Sequence, residues 1–178
     1  MRLLLQRTIA TSAPAAELDA VADLLEGAAA QLAPFQLDSR LDGPPAAGMF
    51  ETHPITGPSN VLAPPLEVEA DGGRAVVTGT YGQAYEGPPG RLHGGFVAAG
   101  FDIALGRAVG STSPGALTGT LTVRYRKATP LFVPVRYEAG VVATEGRKIT
   151  VRGHLSADGD ITAEAEGVWI AGKGAARA

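Results

Sequence analysis

The feature that most constrains the fold is an apolar run from Phe96 to Val109, in which nearly every residue is hydrophobic or glycine. A helix that is apolar around its whole circumference is normally buried, so the run predicts a central helix wrapped by other structure. One carboxylate, Asp102, interrupts it, too far from the helix start for the helix N-terminus to stabilise its charge. Because Asp is rarely buried unless it is paired or functional, Asp102 is a candidate catalytic residue, with a structural buried acid as the alternative.

The turn His93-Gly94-Gly95 precedes this helix. The first N–H groups of a helix have no partner within it, and glycine leaves them unobstructed, so Gly94 and Gly95 predict a cradle for developing negative charge. His93 has two possible roles. We favour a ring that hydrogen-bonds nearby backbone and fixes the turn over a ring that transfers protons.

The spacing between His93 and Asp102 argues for two copies of the chain at one site. Nine residues of helix place the two groups on roughly opposite sides and about 13 Å apart along the axis. One copy is therefore unsuited to offering both to one substrate, whereas two antiparallel copies could do so. This geometry predicts a homodimer with shared sites.

From Leu66 onward, the chain outside the central helix is predicted to form strands and turns. Period-two alternation and Gly/Asp turn signals predict an antiparallel arrangement in which the last strands form a meander. Together with the buried helix, this pattern indicates an α+β fold with a curved sheet around a central helix. The predicted strands are Leu66–Ala70, Arg74–Tyr81, Leu117–Arg126, Pro134–Thr144, Arg147–Ser156 and Ile161–Ile170.

The strand after the central helix has two distinct faces under strict alternation. One face is Leu117, Gly119, Leu121, Val123 and Tyr125, and the other is Thr118, Thr120, Thr122, Arg124 and Arg126.

Three parts of the chain are predicted. Residues 1–37 form an N-terminal helical extension, residues 38–65 an irregular covering segment, and residues 66–178 a single globular unit. Within the extension, Ala16–Leu32 is an amphipathic helix that we expect to pack on the outside of the domain, with partner recognition as the alternative.

Composition excludes several function classes. The net charge of −3 and the absence of basic runs with aromatics give no reason to expect nucleic acid. The chain has no stretch of ~20 apolar residues and an opening too short for a secretory signal, so we expect a cytoplasmic protein without a membrane partner. The absence of cysteine excludes a disulfide and a thiol nucleophile. There is no serine-hydrolase elbow, Walker A loop or dinucleotide fingerprint, and His53, His93 and His154 lack metal-ligand spacing.

The segment around His93 and Asp102 resembles a known protein family. Tyr85-Glu-Gly-Pro-Pro-Gly-Arg-Leu-His-Gly-Gly95, followed by Asp102, resembles the hot-dog fold acyl-CoA thioesterases of the phenylacetate-pathway and thioesterase-superfamily-member type. The likeness extends over roughly Leu66 to Ala171, and Asn60-Val-Leu-Ala-Pro-Pro-Leu66 is similar to a motif in some relatives. The resemblance implies a hot-dog fold.

The resemblance also implies roles for the candidate residues. Asp102 would be the general base that activates water, or alternatively a nucleophile, and the Gly94 N–H would bind the oxyanion. Thr118 would orient the water. Thr120, its predicted neighbour on the same face, is the alternative, and a purely structural β-branched residue is the other interpretation.

One position departs from the family. Some members carry Asn six residues before the His, near the thioester carbonyl, where this chain has Gly87. Carbonyl polarisation would then fall to backbone donors, or to Glu86 or Tyr85.

Coenzyme A, here part of the substrate rather than a cofactor, needs cations for its phosphates. The candidates are Arg126, Lys127, Arg147 and Lys148.

The implied activity is hydrolysis of an acyl-CoA thioester by a homodimer or a dimer of dimers, without cofactor or metal. A non-catalytic acyl-CoA binding or sensing module is the alternative. A hydratase is less favoured, because Pro88 stands where those enzymes are expected to carry Asp, five residues before the His.

Overall fold

The computed structural model describes residues 2–39 and 53–172. Residues 40–52 of the predicted covering segment and the C-terminal residues 173–178 lie outside the described residues. The helices are α1 (Arg2–Ile9), α2 (Ala15–Leu32) and α3 (Gly94–Gly110), with short 3-10 turns at Ala33–Phe35 and Gln83–Tyr85. The strands are β1 (Leu66–Asp71), β2 (Arg74–Thr80), β3 (Leu117–Tyr125), β4 (Pro134–Glu145), β5 (Lys148–Ala157) and β6 (Asp160–Ile170).

The strands form one six-stranded antiparallel sheet in the order β1-β2-β4-β5-β6-β3. The predicted β1–β2 hairpin and β4–β5–β6 meander are confirmed. Gly72 and Gly73 turn the first hairpin with φ of +54° and +81°, in the left-handed region that favours glycine. Strand β3 follows α3 in the chain but crosses to the far edge, where it pairs only with β6.

Helix α3 packs on the inner face of the sheet, mainly against β2, β4 and β5. Gly100 permits this close approach, because a Cβ at that position would lie 2.3 Å from Cζ of Tyr137. The Tyr137 hydroxyl pairs with that of Tyr81 at 3.0 Å, and burial raises the pKa of Tyr81 to about 12. The buried residues of α3 are Val97, Gly100, Phe101, Ile103, Ala104, Leu105, Ala108 and Val109.

In the single chain α3 is the central helix on which the sheet packs, as predicted, but part of its surface stays open. The sheet covers one side, while Gly95 is exposed and Ala98, Asp102 and Gly106 are only partly buried. These positions recur every three or four residues, so they form one stripe along the helix. The single chain leaves this stripe open, with Asp102 in its middle.

The N-terminal extension differs from expectation in two ways. Helix α1, which was not predicted, packs against the 3-10 turn Gln83–Tyr85. Helix α2 has the predicted extent within one residue but no buried residue, and its main contact among the described residues is with the turn that follows it. Within residues 2–39 and 53–172, α2 makes no extensive contact with the sheet or with α3, so its expected packing on the outside of the domain is not seen among those residues.

The described end of the covering segment is attached to the core. Ala63 is fully buried, and its carbonyl accepts a hydrogen bond from the Tyr85 hydroxyl at 3.0 Å. His53 is partly buried, and its Nδ1 accepts a hydrogen bond from the Ile55 N–H.

Candidate active site

The candidate site is built from α3 and the edge strand β3. Strand β3 is irregular between Thr118 and Thr120, because Thr118 is opposite Trp169 and Thr120 is opposite Val168, the very next residue. Gly119 is therefore an extra residue, a β-bulge, and it shifts the side-chain alternation by one. A Cβ at Gly119 would lie 3.1 Å from the Val168 carbonyl, which explains why glycine occupies the bulge.

The bulge turns Thr118 toward the helix. Its Oγ1 donates a hydrogen bond to Oδ1 of Asp102 at 3.1 Å. No cation lies within ion-pair distance of Asp102 in the described ranges, so this carboxylate is held by a neutral donor. The structure thus brings together two predicted site residues, Asp102 and Thr118.

Thr120 cannot substitute for Thr118, contrary to expectation. Its register partner Val168 alternates with the buried Trp169 and Gly167, so Thr120 faces the outer side of the sheet. The expectation that Thr118 and Thr120 share a face assumed an unbroken alternation. A glycine inside a strand pattern often marks a bulge, and Gly119 was the signal that could have revealed it.

At the start of α3, His93 is the N-cap and its Nδ1 accepts a hydrogen bond from the Gly95 N–H at 3.0 Å. The ring therefore makes the expected contact with nearby backbone. The Gly95 N–H is occupied by this bond and is not a second donor to substrate. The Gly94 N–H has no acceptor among residues 2–39 and 53–172, which leaves it as the available donor of the pair.

The loop before His93 has little room for a side chain at position 87. A Cβ on Gly87 would lie 2.9 Å from the His93 Cα, so a larger residue requires the loop to shift. The two alternative polarising groups are already engaged. The Glu86 carboxylate accepts from the Gly90 N–H, and the Tyr85 hydroxyl is buried against Ala63.

Tyr125 belongs to the site but was not predicted. Its hydroxyl donates to the Gly94 carbonyl at 2.9 Å, and its ring lies over Gly94. Tyr125 and Thr118 are seven positions apart, which in a regular strand would place them on opposite faces. The bulge at Gly119 puts both on the helix side, so one strand contacts α3 at Asp102 and again at Gly94.

The four predicted phosphate-binding cations divide between the two ends of β3. Arg126 and Lys127 follow the Tyr125 end and form exposed ion pairs with Glu164 and Asp160. Lys148 shares the register partner Ile170 with Leu117, at the Thr118 end. Arg147 is beside it and donates to the Ala171 carbonyl at 2.8 Å.

The described residues carry neither a metal-site cluster nor a helix suited to a membrane. Within the described ranges, no cluster of His, Asp or Glu has the arrangement of a metal site. None of the helices found in those ranges is both long and apolar enough to cross a bilayer.

Comparison with known proteins gives one family. The model of the thioesterase superfamily matches residues 89–164. The crystal structure of a thioesterase superfamily protein is 31% identical, with a TM-score of 0.83 over 95% of this chain and 86% of that chain. A mutant structure of phenylacetic acid degradation protein PaaI from Thermus thermophilus is 26% identical, with a TM-score of 0.57 over 60% of this chain and 92% of that one.

A curated relative matches a shorter part. Acyl-coenzyme A thioesterase THEM4 from Xenopus laevis is 38% identical over 68 residues, which are 38% of this chain and 31% of that protein. The match thus spans less than a third of the relative. The crystal structure at 31% identity, by contrast, matches most of both chains and includes most of the N-terminal extension. The predicted α+β hot-dog fold is confirmed, and the chain belongs to the thioesterase superfamily.

Proposed function

We propose that the protein hydrolyses an acyl-CoA thioester to the free acid and CoA. Membership of the thioesterase superfamily and the likeness to an acyl-CoA thioesterase support a thioester hydrolase. The observation that carries the proposal is the Asp102 carboxylate on the open stripe of α3, hydrogen-bonded to the Thr118 hydroxyl and without a cationic partner in the described chain.

In the proposed reaction Asp102 is the general base. The Thr118 hydroxyl donates a hydrogen bond to Oδ1 of Asp102, so Oδ2 is left to accept a proton from water. The Thr118 oxygen can in turn accept a hydrogen bond from the water's other hydrogen. The water oxygen bonds to the thioester carbon as its proton passes to Asp102. The carbon–sulfur bond then breaks, and the thiolate takes up a proton.

The Gly94 N–H supplies the oxyanion site. Within the described residues it is the donor left without an acceptor at the start of α3, where the helix dipole also favours negative charge. A donor of this kind stabilises the tetrahedral intermediate more than the ground-state carbonyl, which is what acceleration requires.

We propose that Gly94 and Asp102 meet across a homodimer. Among residues 2–39 and 53–172, β3 is an edge strand that pairs with β6 on one side, so its outer N–H and C=O groups can pair with another strand. If two copies pair antiparallel about Leu121, the Tyr125 end of one strand lies beside the Thr118 end of the other. Gly94 of one chain would then face Asp102 of its partner over the open stripes of both α3 helices.

The same pairing explains the two groups of cations. Arg126 and Lys127 come with Gly94 from one chain, while Arg147 and Lys148 come with Asp102 from the other. Each shared site would then have basic residues from both chains near its rim, as a phosphate-bearing substrate requires.

The test is release of free thiol from a panel of aliphatic and aromatic acyl-CoA substrates, followed with a thiol-reactive dye. Asp102→Ala should lower kcat by about 10²–10⁴ while the protein stays folded. Wild-type turnover by that variant would remove Asp102 from the mechanism. Saturable acyl-CoA binding without thiol release would instead favour the alternative, a non-catalytic binding module.

A further inference from the structure

Tyr125 contacts the start of α3 although its side chain is largely exposed. Tyr125 is 56% exposed, so water is available to its hydroxyl as an alternative partner. Here it donates to the Gly94 carbonyl at 2.9 Å, across 31 residues of sequence. A Cβ at Gly94 would lie 3.4 Å from the ring and the hydroxyl oxygen of Tyr125, so the tyrosine also limits the space around this glycine.

The Gly94–Gly95 peptide group is consequently held from both sides. Tyr125 donates to its carbonyl, and its N–H donates to Nδ1 of His93 at 3.0 Å. A peptide group is planar, so two hydrogen bonds at opposite edges fix the orientation of its plane.

These two hydrogen bonds matter because residues 94 and 95 are both glycine. Glycine has no Cβ and populates a wide range of φ and ψ, so side-chain sterics do not determine the direction of the backbone N–H groups here. The Gly94 N–H belongs to the peptide group that precedes the clamped one and is joined to it at the Gly94 Cα. Clamping the second peptide group therefore restricts where the Gly94 N–H points.

We infer that Tyr125 is a positioning residue that aims the Gly94 N–H at the thioester oxygen. The inference rests on the proposed function, since it concerns the donor of the proposed oxyanion site. Tyr125 acts through the backbone and takes no part in proton transfer. Its loss should reduce turnover and leave substrate binding nearly intact, because the aim of an oxyanion donor matters most in the transition state.

The test is Tyr125→Phe, which keeps the ring and removes the hydroxyl. We expect kcat to fall about tenfold, KM to stay within about twofold, and the shape of the kcat–pH profile to be unchanged. Tyr81→Phe is the matched control, because it also removes one tyrosine hydroxyl, here from the buried contact with Tyr137. This control should lower the melting temperature and leave kcat within about twofold of wild type.

Several outcomes would overturn the inference. An unchanged kcat in Tyr125→Phe would do so. A fall in kcat would also do so if KM rose by a similar factor, or if the melting temperature fell as far as in Tyr81→Phe. A changed pH profile would show that the phenol itself titrates in the reaction.

A second measurement separates this inference from the proposed function. The amide ¹H–¹⁵N signals of Gly94 and Gly95 should shift, and their hydrogen exchange should accelerate, in Tyr125→Phe but not in Tyr81→Phe. If the wild-type protein releases no thiol from any substrate while these signals still move, the proposed function fails, and the part of the inference that stands is that Tyr125 orients the Gly94–Gly95 backbone. If the signals do not move, the positioning role fails.

Discussion

The outer face of the sheet and the helix side of β3 hold their carboxylates in different surroundings. On the outer face, Glu138 lies 3.1 Å from Arg136 and 3.2 Å from His154. Glu166 and Glu164 are paired in the same way with Arg152 and Arg126. On the helix side, Asp102 contacts the Thr118 hydroxyl and no cation of the described chain.

The carboxylates of the outer face are therefore suited to supporting the structure, whereas the Asp102 carboxylate is suited to acting as a base. A carboxylate beside a guanidinium is a poor base, because the cation stabilises its charged form. A carboxylate that accepts only from a hydroxyl keeps an oxygen for water. Substitutions on the helix side should therefore lower turnover more than stability, and substitutions on the outer face should do the reverse.

The largest effect expected from the helix side, beyond loss of Asp102 itself, is removal of the Gly94 N–H. Position 94 is the first residue of α3, where proline is well tolerated, and His93 already has the extended ψ of 133° that a residue before proline prefers. Gly94→Pro should lower kcat about 10²–10³-fold with little loss of melting temperature. Gly94→Ala is the control that keeps the N–H, and equal losses in both variants would show that bulk, not the donor, matters.

A second prediction concerns which chains form one site. Chains with Asp102→Ala and chains with Gly94→Pro, each with its own affinity tag, can be co-expressed and the mixed dimer isolated by two purification steps. A symmetric dimer with shared sites then has one intact site and one doubly defective site, so about half of the wild-type turnover should return. Activity no higher than that of the two parent dimers would place Gly94 and Asp102 of one chain in the same site.

The sequence predicts the secondary structure around this site better than the hydrogen bonds within it. The strands, the turns at Gly72-Gly73 and Asp158-Gly159, and the helix around Asp102 follow from periodicity and turn chemistry, which are local. The two hydrogen bonds from β3 to α3 are not local. They depend on the bulge at Gly119, and one extra residue reverses the faces of the strand on one side of it.

The bulge therefore determines which threonine belongs to the site, and this gives the third prediction. Thr118→Val removes the hydroxyl that holds Asp102 and keeps the shape of the side chain, so kcat should fall about tenfold. Thr120→Val makes the same change on the outer face and should leave kcat unchanged. If Thr120→Val is the variant that loses activity, the site uses an unbulged strand in solution.

The smallest effect is expected on the outer face, at Glu138. The hydrogen bond from Arg136 lowers the pKa of this carboxyl below its ordinary value of 4.5, and the charges of Arg136 and His154 act in the same direction. A depressed pKa in the folded state means that the ionised Glu138 stabilises the fold above pH 4.5, and that this contribution disappears as the pH falls through the lower, folded-state value. Glu138→Gln should therefore reduce the free energy of unfolding at neutral pH by less than about 1 kcal/mol, as for other exposed ion pairs.

Acid unfolding gives the sharper readout of the same variant. In denaturant titrations from pH 7 down to pH 3, the wild-type and Glu138→Gln stabilities should differ at neutral pH and converge below pH 4.5, while thiol release at neutral pH stays equal. Two results would break the contrast between the faces. A constant stability difference at every pH would mean that ionisation of Glu138 does not contribute. A fall in turnover would mean that Glu138 on β4 is coupled to the site through β5 and β6, the two strands that lie between β4 and β3.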